Sequence, residues 1–141
     1  MLRVVVDTSV IVAALRTRQG AGAAVLRAVA DRRIQALASP ALFLEYEDVL
    51  KRPEHLLASG YSRDRIDAVL DALAGLIEPV EVHFAWRPQL RDASDELVLE
   101  AAVNGRADAL VTYNIRDFVA AAPRFDLSVL APADLLKELA S

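Results

Sequence analysis

Leu2-Arg3-Val4-Val5-Val6-Asp7 is the stretch on which the reading of this chain turns. Its first five residues are mostly apolar and rich in β-branched side chains, as in a strand buried on both faces. The run ends on a carboxylate. A lone carboxylate at the edge of a core is destabilising unless it is paired or meets a cation. A second stretch, Ala109-Leu110-Val111-Thr112-Tyr113-Asn114-Ile115-Arg116-Asp117, follows the same plan, with an apolar run, then polar residues, then an acid.

Outward from these two runs, strand-like and helix-like segments alternate. Thr8–Leu15 reads as a helix, followed by a flexible turn at Gly20 and Gly22. Ala23–Arg33 is helical on the spacing of Ala23, Leu26, Ala30 and Ile34. Gln35–Ala38 is a short strand, and Ser39-Pro40 opens a helix with proline at its first position. That helix stops near Lys51, before Arg52-Pro53. Ser62-Arg63-Asp64 opens a further helix through Leu76, and Val80–Phe84 is predicted as a strand. Asp95–Asn104 is predicted as a helix with Gly105 as its C′ residue. Ala109–Thr112 and Leu127–Leu130 read as strands, and Pro132–Leu139 as a final amphipathic helix. About five strands separated by helices predict an α/β fold, with a central, mainly parallel sheet and helices on both faces. With no repeat, linker or low-complexity tail, residues 1–141 read as a single domain.

The bulk numbers bound the function. A chain of 141 residues, 55% hydrophobic and 26% charged, is globular rather than disordered. No apolar run approaches the ~20 residues needed to span a bilayer. The N-terminus enters a strand-like run with no signal-peptide pattern, and there is no cysteine, which excludes disulfides and thiolate metal sites. A cytoplasmic location is the expectation. The net charge of −4 argues against broad electrostatic capture of nucleic acid. Fourteen of the 16 basic residues are arginine.

In parallel sheets, ligands bind beyond the carboxyl ends of the strands, near a switch in strand order. Asp7 and Asn114 follow strand-like runs and belong to that edge, and Asp117 lies close after. From Leu42 the helical series gives Glu45, Tyr46, Val49 and Leu50, so Glu45 takes a core-facing slot. From Asp95 it gives Val98, Leu99, Ala102 and Val103, so Asp95 caps an otherwise apolar stripe. Each acid also has a plain structural reading. Asp7 and Asp95 read as N-caps and Asp117 as a turn residue. Glu45 is harder to place so, because glutamate is rarely buried without a partner. Asp92 reads as a loop acid.

Four acids converging on one edge suggest a shared cation. An all-oxygen set suits Mg²⁺ or Mn²⁺ rather than zinc. His55 and His83 are distant in sequence and read as structural or exposed. Ser9, Ser39, Ser59 and Ser94 lack a nucleophile elbow, and Gly20 and Gly22 do not form a phosphate-cradling loop. A receiver domain would need a lysine after the last strand, where Leu130-Ala131-Pro132 stands. An aspartyl phosphatase would need a second acid at Ser9. Acids around a cation, with no covalent nucleophile, point to hydrolytic phosphoryl chemistry, with Glu45 or Asp117 orienting the water.

Val6-Asp7-Thr8-Ser9, Ser39-Pro40 through Glu45-Tyr46 to Val49-Leu50-Lys51-Arg52-Pro53, Asp92-Ala93-Ser94-Asp95, and Val111-Thr112-Tyr113-Asn114-Ile115-Arg116-Asp117-Phe118 together resemble a PIN domain. More narrowly, the chain resembles the VapC-like toxin components of bacterial toxin–antitoxin pairs. The resemblance spans essentially the whole chain. Each piece alone is a weak motif, whereas the four in this order and spacing are specific. It implies a three-layer α/β/α fold and a Mg²⁺- or Mn²⁺-dependent endoribonuclease, inhibited by a small antitoxin and often homodimeric. By position, Asp7, Glu45 and Asp95 match the first three acids of the family, with Asp7 and Asp95 the expected direct ligands. The fourth departs: many members have Thr-Gly-Asp where this chain has Thr112-Tyr113-Asn114, and its acid comes later, at Asp117. Asn114 is neutral and cannot act as a base. Thr8, Ser9, Thr112 and Asn114 are expected to surround the acids, with Ser9 and Thr112 hydrogen-bonding the carboxylates. The rival reading, drawn from Asn114, is a weak or inactive PIN module that binds RNA or a protein partner.

An acidic chain that holds RNA needs local positive charge. Arg16, Arg18 and Arg116, with Arg52 and Arg87 further candidates, are expected near the carboxyl edge, within reach of phosphates. Each is equally well read as a solvated surface arginine. Tyr113, Trp86 and Phe84 are candidates for stacking on unpaired bases, with Phe84 also readable as core. Apolar residues around Leu56-Leu57 and Val69–Leu76 are candidates for covering by a second copy or an antitoxin helix.

Overall fold

Strand β1, Leu2–Val6, forms the middle of the sheet, with Val4 and Val5 fully buried. It hydrogen-bonds in parallel to β2, Ile34–Ala38, on one side and β4, Ala109–Val111, on the other. β3, Glu78–Pro79, extends the sheet beyond β2, and β5, Ser128–Leu130, extends it beyond β4. The order is β3-β2-β1-β4-β5 with every pairing parallel. These coordinates come from a computed structural model, which describes residues 1–83 and 90–141.

Helices flank the sheet in a three-layer α/β/α arrangement, because strands buried on both faces need apolar cover on each. α1 is Thr8–Arg16 and α2 is Ala21–Ala30, which packs against β2 and against the last helix, α8, Pro132–Ala140. α3, Pro40–Leu50, begins at Ser39, whose hydroxyl accepts from the Leu42 amide. Leu42 and Tyr46 carry its buried face. α6, Ala93–Asn104, lies across β1, β2 and β4 through Val98, Leu99, Ala101 and Ala102, and its contact with α3 brings those two helices together. α7, Ile115–Phe118, is one turn anchored by the fully buried Phe118.

Three expectations change. Proline 53 does more than end a helix. It starts another, α4, Pro53–Ser59, followed by α5, Arg63–Ala74. Proline lacks an amide to donate and its φ suits a first helical position, so it serves as a stop and a start. The strand expected at Val80–Phe84 lies earlier, at Glu78–Pro79. Val80 still donates to the Ala38 carbonyl at 3.0 Å, but the chain leaves the ladder there, at the sheet's edge. Phe84 lies outside the described residues.

The third correction concerns α6, which starts two residues before Asp95. Its N-cap is Asp92, whose Oδ1 accepts from the Ser94 amide at 2.8 Å. At its other end Gly105 is right-handed, φ −83°, and Arg106 takes the left-handed C′ position, φ 52°. The Ala107 amide then donates to the Ala102 carbonyl, as that cap requires. Glycine 105 is needed for space instead. A Cβ there would stand 2.8 Å from Val80 Cγ2, 2.9 Å from the Ala101 carbonyl oxygen and 3.2 Å from Leu37 Cδ1.

Gly105→Ala should therefore destabilise the protein by about 1–3 kcal/mol, the usual range for overpacking. Urea denaturation reads this as a lower midpoint. An unchanged midpoint would mean that β2, Val80 and α6 yield without strain.

Candidate metal and phosphodiester site

The strand order reverses at β1. The chain leaves β1 toward β2 and β3 on one side, and places β4 and β5 on the other. The register pairs Val6 with Val111, so the residues that follow them, Asp7 and Thr112, emerge together at the carboxyl edge. The Asp7 amide donates to the Val111 carbonyl at 2.9 Å, and the Asp7 side chain is 5% exposed. Its Oδ2 accepts two hydroxyls, Ser9 Oγ and Thr112 Oγ1, each at 2.7 Å. No described group donates to Oδ1. Asp7 is also the N-cap of α1, yet its carboxylate makes no capping bond. The side chain points into the site instead.

Tyr46, buried in α3, donates its hydroxyl to the Val6 carbonyl, one residue before Asp7. Burial, reinforced by the negative charge of Asp7, pushes the Tyr46 phenol far up, so it stays a donor. One residue before it, half-buried Glu45 accepts from Ser94 Oγ through Oε1 at 2.7 Å. Ser94 precedes Asp95 in the first turn of α6, so this bond joins α3 to the acids of α6. Asp95 is half-buried, and its carboxyl is raised from 3.8 to about 6. Removal from water is the main cause, followed by the negative charges of Asp7, Asp92, Asp117 and Glu96. Asp7 and Asp117 therefore lie close enough to Asp95 for their charges to be felt.

Asn114 and Asp117 are exposed at the two ends of one turn, where the Asp117 amide donates to the Asn114 carbonyl at 3.0 Å. The Asn114 amide donates to Thr112 Oγ1 at 2.9 Å, and the Asn114 side chain makes no capping bond. Thr8 opens α1 half-buried and makes none of the bonds to the carboxylates. Asp95 and Asp117 share a cleft of about 490 Å³ with Leu90, Arg91, Asp92, Arg116 and Ala120. Asp7 and Glu45 lie outside its lining. Asp92 and Arg91 were missed at the sequence level, because a loop acid and a surface arginine carry no periodicity.

Of the three expected RNA-binding arginines, Arg116 alone lines this cleft. Arg16 ends α1, far from Asp7 along that helix, and its Nη2 meets Nδ1 of His55 at 2.7 Å. Arg18 is exposed, with its carbonyl accepting from Arg27. Arg52 pairs with Asp48 on the outer side of α3. Arg87, Trp86 and Phe84 lie outside the described residues. Leu56, Leu70 and Leu73 pack into the protein's own core, while Leu57 stays exposed.

The donor set is all oxygen and fits a hard divalent cation. Among the described residues, however, no three acidic or histidine side chains stand together as a ready-made cage. Nor does any described ion pair involve Asp7, Glu45, Asp95 or Asp117. Acids elsewhere find cations: Glu78 holds Arg3, and Glu47 and Asp67 hold Lys51. At this edge, hydroxyls orient carboxylates and leave their charge uncompensated.

The chain belongs to the PIN domain family, whose model matches residues 3–116. Its fold is also that of a chain in VapBC2 from Rickettsia felis, solved bound to a DNA fragment from the promoter. That likeness has a TM-score of 0.60 at 16% identity and covers 92% of this chain and 98% of the other. No curated protein sequence gives a significant match. Among the described residues no helix is long and apolar enough to cross a membrane.

The raised carboxyl of Asp95 makes metal-free stability depend on pH. Its folded value, about 6, exceeds the ordinary 3.8, so the native state favours the protonated form. Stability is thus lost as pH rises from about 4 to 6 and stays lower above that. Asp95→Asn should raise the melting temperature in chelator at pH 7, and the gain should shrink toward zero near pH 4. An equal gain at both pH values would assign the effect to packing.

Proposed function

We propose that this protein is a divalent-metal-dependent endoribonuclease, the toxin of a toxin–antitoxin pair, acting on RNA phosphodiesters at the carboxyl edge of β1 and β4. The observation that carries the reading is Asp7. It is a nearly buried carboxylate oriented by two hydroxyls, with one oxygen left free and Asp95 near enough to have its carboxyl raised. Asp7 and Asp95 are the proposed ligands of Mg²⁺ or Mn²⁺, with Glu45 and Asp117 completing the set. When bound, such a cation supplies charge neutralisation and electrophilic activation of the phosphodiester and of water. Ser9 and Thr112 hold the Asp7 carboxylate in one rotamer, and Ser94 does the same for Glu45. Asp117, exposed at the cleft, accepts the proton of the attacking water. A small antitoxin partner is supported by the likeness to a VapBC2 assembly. Homodimerisation belongs to the same proposal.

A second reading is favoured by Asn114 and by the unclosed set of acids. In it the chain is a catalytically weak PIN module that binds RNA or a protein partner.

RNA cleavage over a Mn²⁺ titration separates the two. Asp7→Asn should abolish cleavage, and Asp117→Asn should slow it on the order of 10²-fold, as for loss of a positioned base. Asn114→Asp should lower the Mn²⁺ concentration needed. No cleavage by the parent at any Mn²⁺ concentration, with RNA still bound, would favour the second reading. Parent-like cleavage by Asp117→Asn throughout would remove that residue from the mechanism.

A further inference from the structure

Tyr113 stands at the rim of the site and is 47% exposed, an unusual position for a large ring beside a buried carboxylate. It is nonetheless held at both ends. Its amide donates to Ser9 Oγ at 3.3 Å, and its hydroxyl accepts from the Gly22 amide at 3.1 Å. That second bond reaches across to the start of α2. A Cβ on residue 22 would stand 2.9 Å from the Val10 carbonyl and 3.3 Å from the Tyr113 hydroxyl, so glycine keeps the approach open. The result is a ring fixed in orientation with much of its surface facing solvent.

On the α6–α7 side of the acids, Arg91 and Arg116 line the cleft together with Asp92, Asp95 and Asp117. Both arginines are exposed, and neither has a hydrogen-bond or ion-pair partner among the described residues. Two unpaired guanidiniums beside three carboxylates are placed for something other than holding the fold. Planar guanidinium forks match phosphate oxygens.

We infer that the site takes an unpaired RNA strand gripped at two points flanking the acids, with one base stacked on Tyr113 and a backbone phosphate held by Arg91 and Arg116. The inference rests on the proposed ribonuclease reading and specifies its substrate as single-stranded. A duplex keeps its bases stacked on one another and offers none to the ring, whereas a splayed strand does. Tyr113 and the arginines are positioning residues, since none of them touches the reacting atoms.

The test is binding of a short fluorescent single-stranded RNA by the full chain, with Ca²⁺ in place of Mg²⁺ to suppress hydrolysis, read by anisotropy. Tyr113→Ala should raise Kd about tenfold, as expected for loss of one stacked base. Tyr113→Phe, which loses the Gly22 bond but keeps the ring, should bind like the parent. With an abasic site at the stacked position, Ala and parent should converge. Arg116→Ala should weaken binding of all strands alike and reduce the salt slope by about one. If Phe weakens binding as much as Ala, Tyr113 is only a tie between α2 and β4, and the inference falls. Equal binding of a duplex, or an Ala effect that persists on the abasic strand, also overturns it. The ribonuclease reading fails separately, by absence of cleavage in Mn²⁺ while this binding pattern holds.

Discussion

Everything at the carboxyl edge depends on one buried charge, the Asp7 carboxylate. It is tolerable there because parallel pairing of β1 with β4 puts Thr112 beside it, while the first turn of α1 brings Ser9 back onto the same oxygen. A register slip of one residue would turn Asp7 to the other face of the sheet and separate it from both hydroxyls. The strand register, the entry into α1 and the rotamer of a single side chain are thus one constraint. Tyr46 reinforces it from α3 by taking up the Val6 carbonyl.

The balance of charge at this edge differs from that elsewhere in the molecule. Where an acid only fastens the fold, it meets a cation, as Glu78 meets Arg3 and Asp67 meets Lys51. Around Asp7, Glu45 and Asp95 the partners are neutral hydroxyls, which orient without neutralising. The carboxyl of Asp95 shows the consequence, since desolvation and neighbouring acids lift it to about 6. In this family such an arrangement suits chemistry that needs negative charge held ready for a cation, and it trades native-state stability for that readiness.

The cleft between α6 and α7 adds a second layer. Its acids come from Asp92, the cap of α6, from Asp95 one turn in, and from Asp117 in a short helix secured by Phe118. Its arginines interleave with them. Such mixed lining favours a ligand that carries negative charge and brings cations with it, as a phosphodiester does.

Much of this was legible in the chain. Continuous β-branched runs marked β1 and β4 as buried strands, and helical spacing put Glu45 and Asp95 on faces turned inward, because periodicity reports burial directly. The α/β class and the membership of the PIN family follow from that pattern, and the family match over residues 3–116 agrees. Other features were not legible, for reasons of packing. That Asp92 rather than Asp95 caps α6 was settled by which residue's carboxylate reaches the Ser94 amide, and several candidates fit equally well along the sequence. That Gly105 is required for space, while Arg106 takes the left-handed turn, depends on Val80 and Leu37, which lie far away in the chain. The edge strand ended at Pro79 because the ladder gave out there, and a propensity for β structure in Val80–His83 cannot supply a missing neighbour. Local pattern specifies which residues turn inward. Which of them meet, and through which oxygen, is a property of the register and crossings that bring distant segments together.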